Sequence, residues 1–506
     1  MSGVCIRHSE LPGSSRLFVD FLYDFPRVES FFSHDPSNPD SIRKAIEEIE
    51  YPAARRAAIV EALQETNPNH PSLAVLAEEN TVAILTGQQV GLYGGPVYTL
   101  YKALSAIRLA QELTESGQPA VPIFWLATED HDVEEIRSAA FWDADITADA
   151  ASDTRPAGLH LLQGLPDILP LTEEISALAQ RHYQNGTSFG DAFVGLLKEL
   201  LSPLGLLFAD PLAPKLRAVG GEFLSNAAMR APELADALLE RNKELIAAGY
   251  KPQVHFEANE TSLFFLLEDE HRQQLKFNAK TYDAHEMAAH GVKLSPNALL
   301  RPVWQDWLFP TAAIIGGPGE LAYFAQSEVL YKLLLGRMPL ALPRAFFTIV
   351  DAKSAKTIER FRVRYADMLH DESHVALTLA KRLVPPDVTE SLQTAERSVN
   401  SAMSMLAAKM ESFDPTIARA LETSQNKIRY QFAKNHSKVV MEMLRKNEQA
   451  QRQAAHISHR LAPHGHLQER HYSLLAMLSD YGLEFIPTIL ENIHYGCHDH
   501  HVLLLG

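Results

Sequence analysis

Two cysteines, Cys5 and Cys497, are all that 506 residues contain, and they stand almost the whole chain apart. No CxxC pair, zinc knuckle or disulfide framework can be drawn from them, which fits a reducing cytosol. Long apolar runs are missing too. The most apolar short stretch, Val121 to Ala127, falls far below the roughly 18 residues that suggest a membrane span. The opening MSGVCIRHSELPGSSRLFVDFLYDF has no basic region followed by a sustained apolar one, so no secretory signal is expected and the expected address is the cytoplasm. Basic residues are in deficit. Against 63 Asp and Glu there are 46 Lys and Arg, a formal charge of −17, which argues against general nucleic-acid or anionic-membrane partners.

What remains is ample for a packed interior. The chain is 46 % hydrophobic and 22 % charged, and its length predicts about three structural units. Residues 1–80 read as a helical lead-in, closed by Asn67-Pro68 and His70-Pro71. TVAILTGQQVGLYGGP (81–96) then gives an apolar β-rich run and a Gly-rich turn, and 97–113 carries apolar residues near a 3.6-residue period. VPIFWLA (121–127) is a second buried strand that ends in polar residues. Strand, helix and strand in so short a span predict a βαβ unit, a parallel sheet, and ligands at the strand C-termini.

Further strands are expected at 205–211, 261–268 and 311–315, and 338–350 closes the sheet region. The expected division is a first part of the core over 1–142, an insertion over 143–200 and the rest of the core over 201–385, with a small insertion near 250–295. A coiled-coil domain over 386–460 and a C-terminal segment over 461–506 packed on the core complete it. The coiled coil rests on Leu392, Val399, Met403, Leu406, Met410 and Phe413, then Ile417, Leu421, Ile428, Phe432, Val439 and Met443. This is the heptad seam of two antiparallel helices joined at Asp414-Pro415, with oligomerisation as its use.

Three constellations could carry chemistry. The loop Gly87-Gln88-Gln89, followed by Gly91 and Gly94-Gly95, leaves a strand and opens a helix that carries Tyr98 and Lys102. It matches neither GxGxxG nor GxxxxGK[ST], so it is either a tight turn or an anion cradle at a helix N-terminus. Glu129-Asp130-His131-Asp132 is either part of a cleft, where carboxylates and imidazole could bind a metal, or a set of helix-capping acids with a solvated histidine. Gly316-Gly317-Pro318-Gly319-Glu320 is a second Gly-rich turn, flanked by Arg301, Gln305, Asp306, Tyr323, Gln326 and Arg344. Arginines there suit carboxylate or phosphate. The tail histidines His494, His498, His500 and His501 read as solvated or as an edge strand rather than as a metal tract.

TGQQVGLYGGPVYTLYKA (86–103), VPIFWLATEDHD (121–132), SPNALLRPVWQD (295–306), GGPGELAYFAQ (316–326) and LQERHYSLL (467–475), around a late coiled coil, resemble the bacillithiol biosynthesis cysteine-adding enzyme family, BshC. The resemblance implies an α/β fold: a Rossmann-like parallel-sheet core with connecting-peptide insertions and a long antiparallel helical coiled coil that forms a homodimer. It implies a ligase joining the carboxyl of cysteine to the amine of glucosaminyl-malate in the last step of bacillithiol synthesis. The architecture is similar to class I nucleotidyl-transferring synthetases, yet HIGH and KMSKS signatures are absent. The sequence therefore names no cofactor, although ATP or another nucleotide would supply the adenylate or phosphate intermediate that amide formation calls for. Under this reading Gln88 and Gln89 orient a carboxylate or phosphate, Lys102 neutralises charge, and His131 or Asp132 takes a proton from the sugar amine. The expected binding set is Gln88, Gln89, Tyr98, Glu129, Asp130, Arg301, Gln305, Asp306, Gly316, Gly317, Gly319, Glu320, Tyr323, Gln326 and Arg344, with no metal. Two other classes compete: a metal-dependent hydrolase or amidase built on Glu129–Asp132, and a non-catalytic coiled-coil interaction protein.

Overall fold

The computed structural model describes residues 4–150, 153–167, 169–257, 262–275 and 283–505. Thr261, at the start of the strand expected over 261–268, and parts of the insertions expected over 143–200 and 250–295 lie outside the described residues.

Five strands build the central sheet: β1 (Val82–Gln88), β2 (Ala120–Leu126), β3 (Leu207–Ala209), β4 (Thr311–Gly316) and β5 (Leu340–Pro343). They lie in the order β5-β4-β1-β2-β3, and every pair is parallel. The apolar runs are continuous rather than alternating because both faces are covered. In β2, Val121, Ile123 and Trp125 point into one core and Phe124 and Leu126 into the other. Trp125 meets Trp304 edge-on at 5.2 Å on the first side, and Phe124 packs against Phe193 at 6.2 Å on the second.

The strand order reverses between β1 and β4. Helix α1 (Tyr98–Glu115) follows β1 and helix α2 (Pro318–Leu335) follows β4. Connections that leave a parallel sheet in opposite directions open a crevice at the strand C-termini, where ligands bind. Gly87 is dictated by close packing here. A Cβ on it would stand 2.7 Å from the carbonyl oxygen of Trp125, its register partner. Beyond it Tyr93, Gly94 and Gly95 all take positive φ, turning the chain from β1 into α1.

The run at 338–350 divides. Leu340–Pro343 ends the central sheet, whereas Phe346–Val350 pairs in parallel with His500–Leu504 in a second sheet, whose other edge is Val4–Ile6. A third, antiparallel sheet of Phe264–Glu268, His271–Gln274 and Leu294–Pro296 flanks the crevice.

Helices α3 (Pro386–Glu411) and α4 (Pro415–Lys446) form a hairpin, and α5 (Glu448–Leu461) returns to the core. Asp414 caps α4 by accepting from the Thr416 amide at 2.7 Å, with Pro415 at the first helical position. Bonds from Gln425 to Ser404 and from Arg429 to Asn400 run in opposite chain directions, so the pair is antiparallel. No residue of α3 is buried. No helix among the described residues is long and apolar enough to cross a membrane.

Candidate active site

A cavity of about 360 Å³ occupies the crevice at the carboxyl ends of β1 and β4. Of the residues singled out in the sequence, Gln88, Gln89, Tyr98, Lys102, Asp130, Arg301, Gln305, Gly317, Gly319, Glu320, Tyr323 and Arg344 line it. Its floor is an ion pair. Lys102, 3 % exposed, lies against the Glu320 carboxylate and donates to the Gly87 carbonyl at 3.0 Å and to Gln88 Oε1 at 2.7 Å. Burial pulls its ammonium below the usual pKa, and Glu320 opposes that pull. Glu320 also accepts from the Gly317 amide at 2.8 Å, which rigidifies the start of α2. Gln88 is thereby oriented, since its Oε1 is held by Lys102 and its amide nitrogen donates to the Tyr98 hydroxyl at 3.0 Å.

Arg344 enters from the end of β5. Both terminal nitrogens are taken by Glu469, at 2.9 and 2.5 Å. Its Nε is buried and has no partner, although the side chain is only 2 % exposed. A buried guanidinium N–H without a partner is an unsatisfied donor beside the cavity. Gly319 and Glu320, at the first turn of α2, also line the cavity, and amides there lack intrahelical acceptors. This half of the cleft suits an anion.

Asp130 lines the cavity among cations. Asp130 accepts from Gln89 Nε2 at 3.1 Å and from Arg272 at 3.4 Å. Burial would raise its carboxyl, but the hydrogen bonding at His131, the Arg272 and Arg301 charges and the Gln89 amide outweigh it and hold the group well below the usual carboxylate range.

Six expected residues lie outside the lining. Glu129 turns inward and is 1 % exposed, paired with Arg217 at 3.4 Å. His131 sits at the rim beside Phe265, its Nδ1 accepting from Arg272 at 2.9 Å. Asp132 caps the short helix Val133–Ile136. Gly316 ends β4 under Phe324. Asp306 is paired with Arg337 at 2.5 Å beneath a different surface hollow. Gln326 holds both the amide and the carbonyl of Val254, at 2.8 and 2.9 Å, and so positions its neighbour Gln253 on the cavity wall.

Gln253, Glu135 and Arg470 line the cavity without having been singled out. Arg470 stands in the LQERHYSLL stretch already noted for its resemblance, and Glu135 lies three residues beyond EDHD. Gln253 carries no local signal.

Comparison with known proteins agrees with this architecture. Residues 1–345 match the domain described as "Bacillithiol biosynthesis BshC, N-terminal Rossmann-like domain", and 347–505 match "Bacillithiol biosynthesis BshC, C-terminal coiled-coil domain". A protein of Solibacter usitatus named "Putative cysteine ligase BshC" is 40 % identical over the whole of both chains. One of the same name from Koribacter versatilis is 32 % identical over 99 % of each, and one from Bacillus cereus 26 % over 88 % of each. A Rossmann-like sheet with its cleft at the strand-order reversal, a late helical hairpin and full-length identity at this level converge on one conclusion: the chain belongs to the BshC family of bacillithiol biosynthesis.

Proposed function

We propose that this chain is a ligase that joins the carboxyl of cysteine to the amine of glucosaminyl-malate, giving the amide of bacillithiol. The name carried by its relatives supports the reaction class. The observation that carries the reading is the polarity of the cleft. Lys102 and Arg344 line it together with Asp130, whose carboxyl is held ionised. An amino acid is a zwitterion, and a cleft lined by both cations and carboxylates matches its carboxylate and its ammonium.

In the step proposed, the amine nitrogen of the sugar forms a bond to the cysteine carboxyl carbon. One carboxyl oxygen departs, and the nitrogen loses a proton. Amide formation from a free carboxylate is uphill in water, so the carboxylate oxygen must first be phosphorylated or adenylylated by ATP or another nucleotide, breaking a phosphoanhydride bond of that nucleotide, and then departs with the phosphate or the nucleoside monophosphate. Lys102 and Arg344 would stabilise negative charge developing on the carboxyl. Asp130 is too weak a base for the proton and serves to hold an ammonium. With Asp130 committed to Arg272 and Gln89, and Glu320 to Lys102, Glu135 is the lining carboxylate left to accept it. His131, whose Nδ1 lone pair is committed to Arg272, would position the amine.

A metal-dependent hydrolase finds less support, because Glu129, Asp130 and Asp132 diverge to Arg217, the cleft and a helix cap. The hairpin supports a homodimer: Met405, Leu406, Phe413, Ile417 and Met441 are exposed along it, and a second copy would cover them.

The test is mass spectrometry of the full-length protein with cysteine, glucosaminyl-malate and ATP. The amide product should appear, and Lys102→Met should abolish it. Absence of product with ATP and with every other nucleoside triphosphate, or chelator-sensitive hydrolysis instead, would reject the reading.

A further inference from the structure

The two cysteines are brought together by the second sheet, and neither lines the cleft. Cys5 lies on Val4–Ile6 directly opposite His501 on His500–Leu504, in antiparallel register. Cys497 comes from the turn just before that last strand. Cys5 Sγ is 3.9 Å from Cys497 Sγ and 3.7 Å from His501 Nδ1. All three ligand atoms lie within 4.8 Å of one another, and among the described residues they are the one His/Cys/Asp/Glu group so disposed.

We propose that Cys5, Cys497 and His501 form a zinc site that joins the first strand to the last. The spacing carries the argument. Tetrahedral zinc with Zn–S near 2.3 Å and Zn–N near 2.0–2.1 Å has an S···S edge of about 3.8 Å and an S···N edge of about 3.6 Å. The observed 3.9 and 3.7 Å are those edges within about 0.1 Å. A disulfide instead requires sulfurs about 2.05 Å apart. The donor chemistry agrees, since two thiolates and an imidazole are soft ligands that select zinc over magnesium or calcium.

The surroundings fit as well. A backbone hydrogen bond at Cys497 involves the His501 imidazole, the kind of contact that fixes a ligating histidine's ring. The Cys497 amide donates to the His494 carbonyl at 3.2 Å, which holds the turn that carries the second sulfur. A water takes the fourth position. Binding releases the thiol protons to solvent and leaves both sulfurs reduced, so no redox partner is involved.

Zinc here would clamp the sheet that contains Phe346–Val350, the strand leaving the cleft just after Arg344. Full-length protein should be purified under reducing conditions, stripped with chelator, and titrated with Zn²⁺ alone and with Co²⁺ alone. The expected results are one tightly held zinc per chain by elemental analysis, and a thiolate-to-cobalt charge-transfer band. Cys5 is exposed, so Cys5→Ser should fold normally by circular dichroism. It should lose both the stoichiometric zinc and the cobalt band, and zinc should raise the melting temperature of the parent but not of the variant. Failure of the reduced parent to retain zinc, equal retention by Cys5→Ser, or isolation of the chain only as a Cys5–Cys497 disulfide would each overturn the proposal. None of these readouts depends on ligase activity.

Discussion

The cleft and the helical hairpin are both rich in charge, and they use it in opposite ways. In the cleft, Lys102, Glu320, Arg344 and Glu469 are paired in the interior, three of them almost wholly buried. On the hairpin, pairs such as Arg445–Glu442 and Lys446–Glu442 sit in water between residues on neighbouring turns. Exposed pairs contribute little, whereas a buried charge that loses its partner is strongly destabilising. Removing one partner should therefore cost more in the cleft than on the hairpin. The apolar residues reverse the pattern, being buried around the cleft and left open along the hairpin seam.

The sharpest way to break this contrast is at Lys102. Lys102→Met should lower amide formation by about 100- to 1,000-fold and destabilise the fold by about 3–5 kcal/mol, because Glu320 is left without its cation. Adding Glu320→Leu should restore most of the stability and none of the turnover. Recovery of both together would mean that the pair is only structural. Next in size is Arg344→Lys, which keeps the charge but loses the two-pronged grip on Glu469. Urea unfolding should register a loss of about 2–4 kcal/mol.

Acid should distinguish the regions next. Burial holds His8 and His500 down to about 3, so both stay neutral in the folded state. Unfolded, they titrate near 6.5, and the unfolded chain therefore binds more protons between those values. Core stability should be fully present above about pH 6.5 and fall as the pH drops towards 3, with the depressed Asp130 adding a loss of the same sign below about pH 4. Chemical unfolding across a pH series reads this; a flat profile would contradict it. On the hairpin, Phe413→Asp with Met405→Asp should abolish the proposed dimer, as read by sedimentation against the parent, while the core melting temperature holds. The smallest effect is assigned to Glu442→Ala, which should leave melting unchanged.

Much of this was legible locally. β1, β2 and β4 announce themselves as apolar runs ending in glycine or polar residues because both their faces are buried, and the hairpin does so through its seam and the Asp414-Pro415 cap. The two Gly-rich turns pointed to one crevice because each follows a strand of the same parallel sheet. Partnerships across long separations were not legible. Nothing near Glu129 announces Arg217, nothing near Arg344 announces Glu469, and composition alone made Cys5 and Cys497 look isolated. Periodicity reports which way a residue faces, not what comes to meet it. The turn at Arg344 likewise sends Phe346–Val350 into a different sheet, although the run 338–350 reads as one unit.

The strand His500–Leu504 lies between Val4–Ile6 and Phe346–Val350 and is the sole sheet neighbour of the former. During synthesis Val4–Ile6 therefore waits for nearly 500 further residues before its ladder can form, about 25–100 s at ribosomal rates of 5–20 residues per second. The Glu469 that grips Arg344 arrives almost as late. Tyr472, Leu474, Met477, Phe485 and Ile489, which close one face of the central sheet, arrive in the same late stretch, so a chain truncated before them would leave that face of its core open.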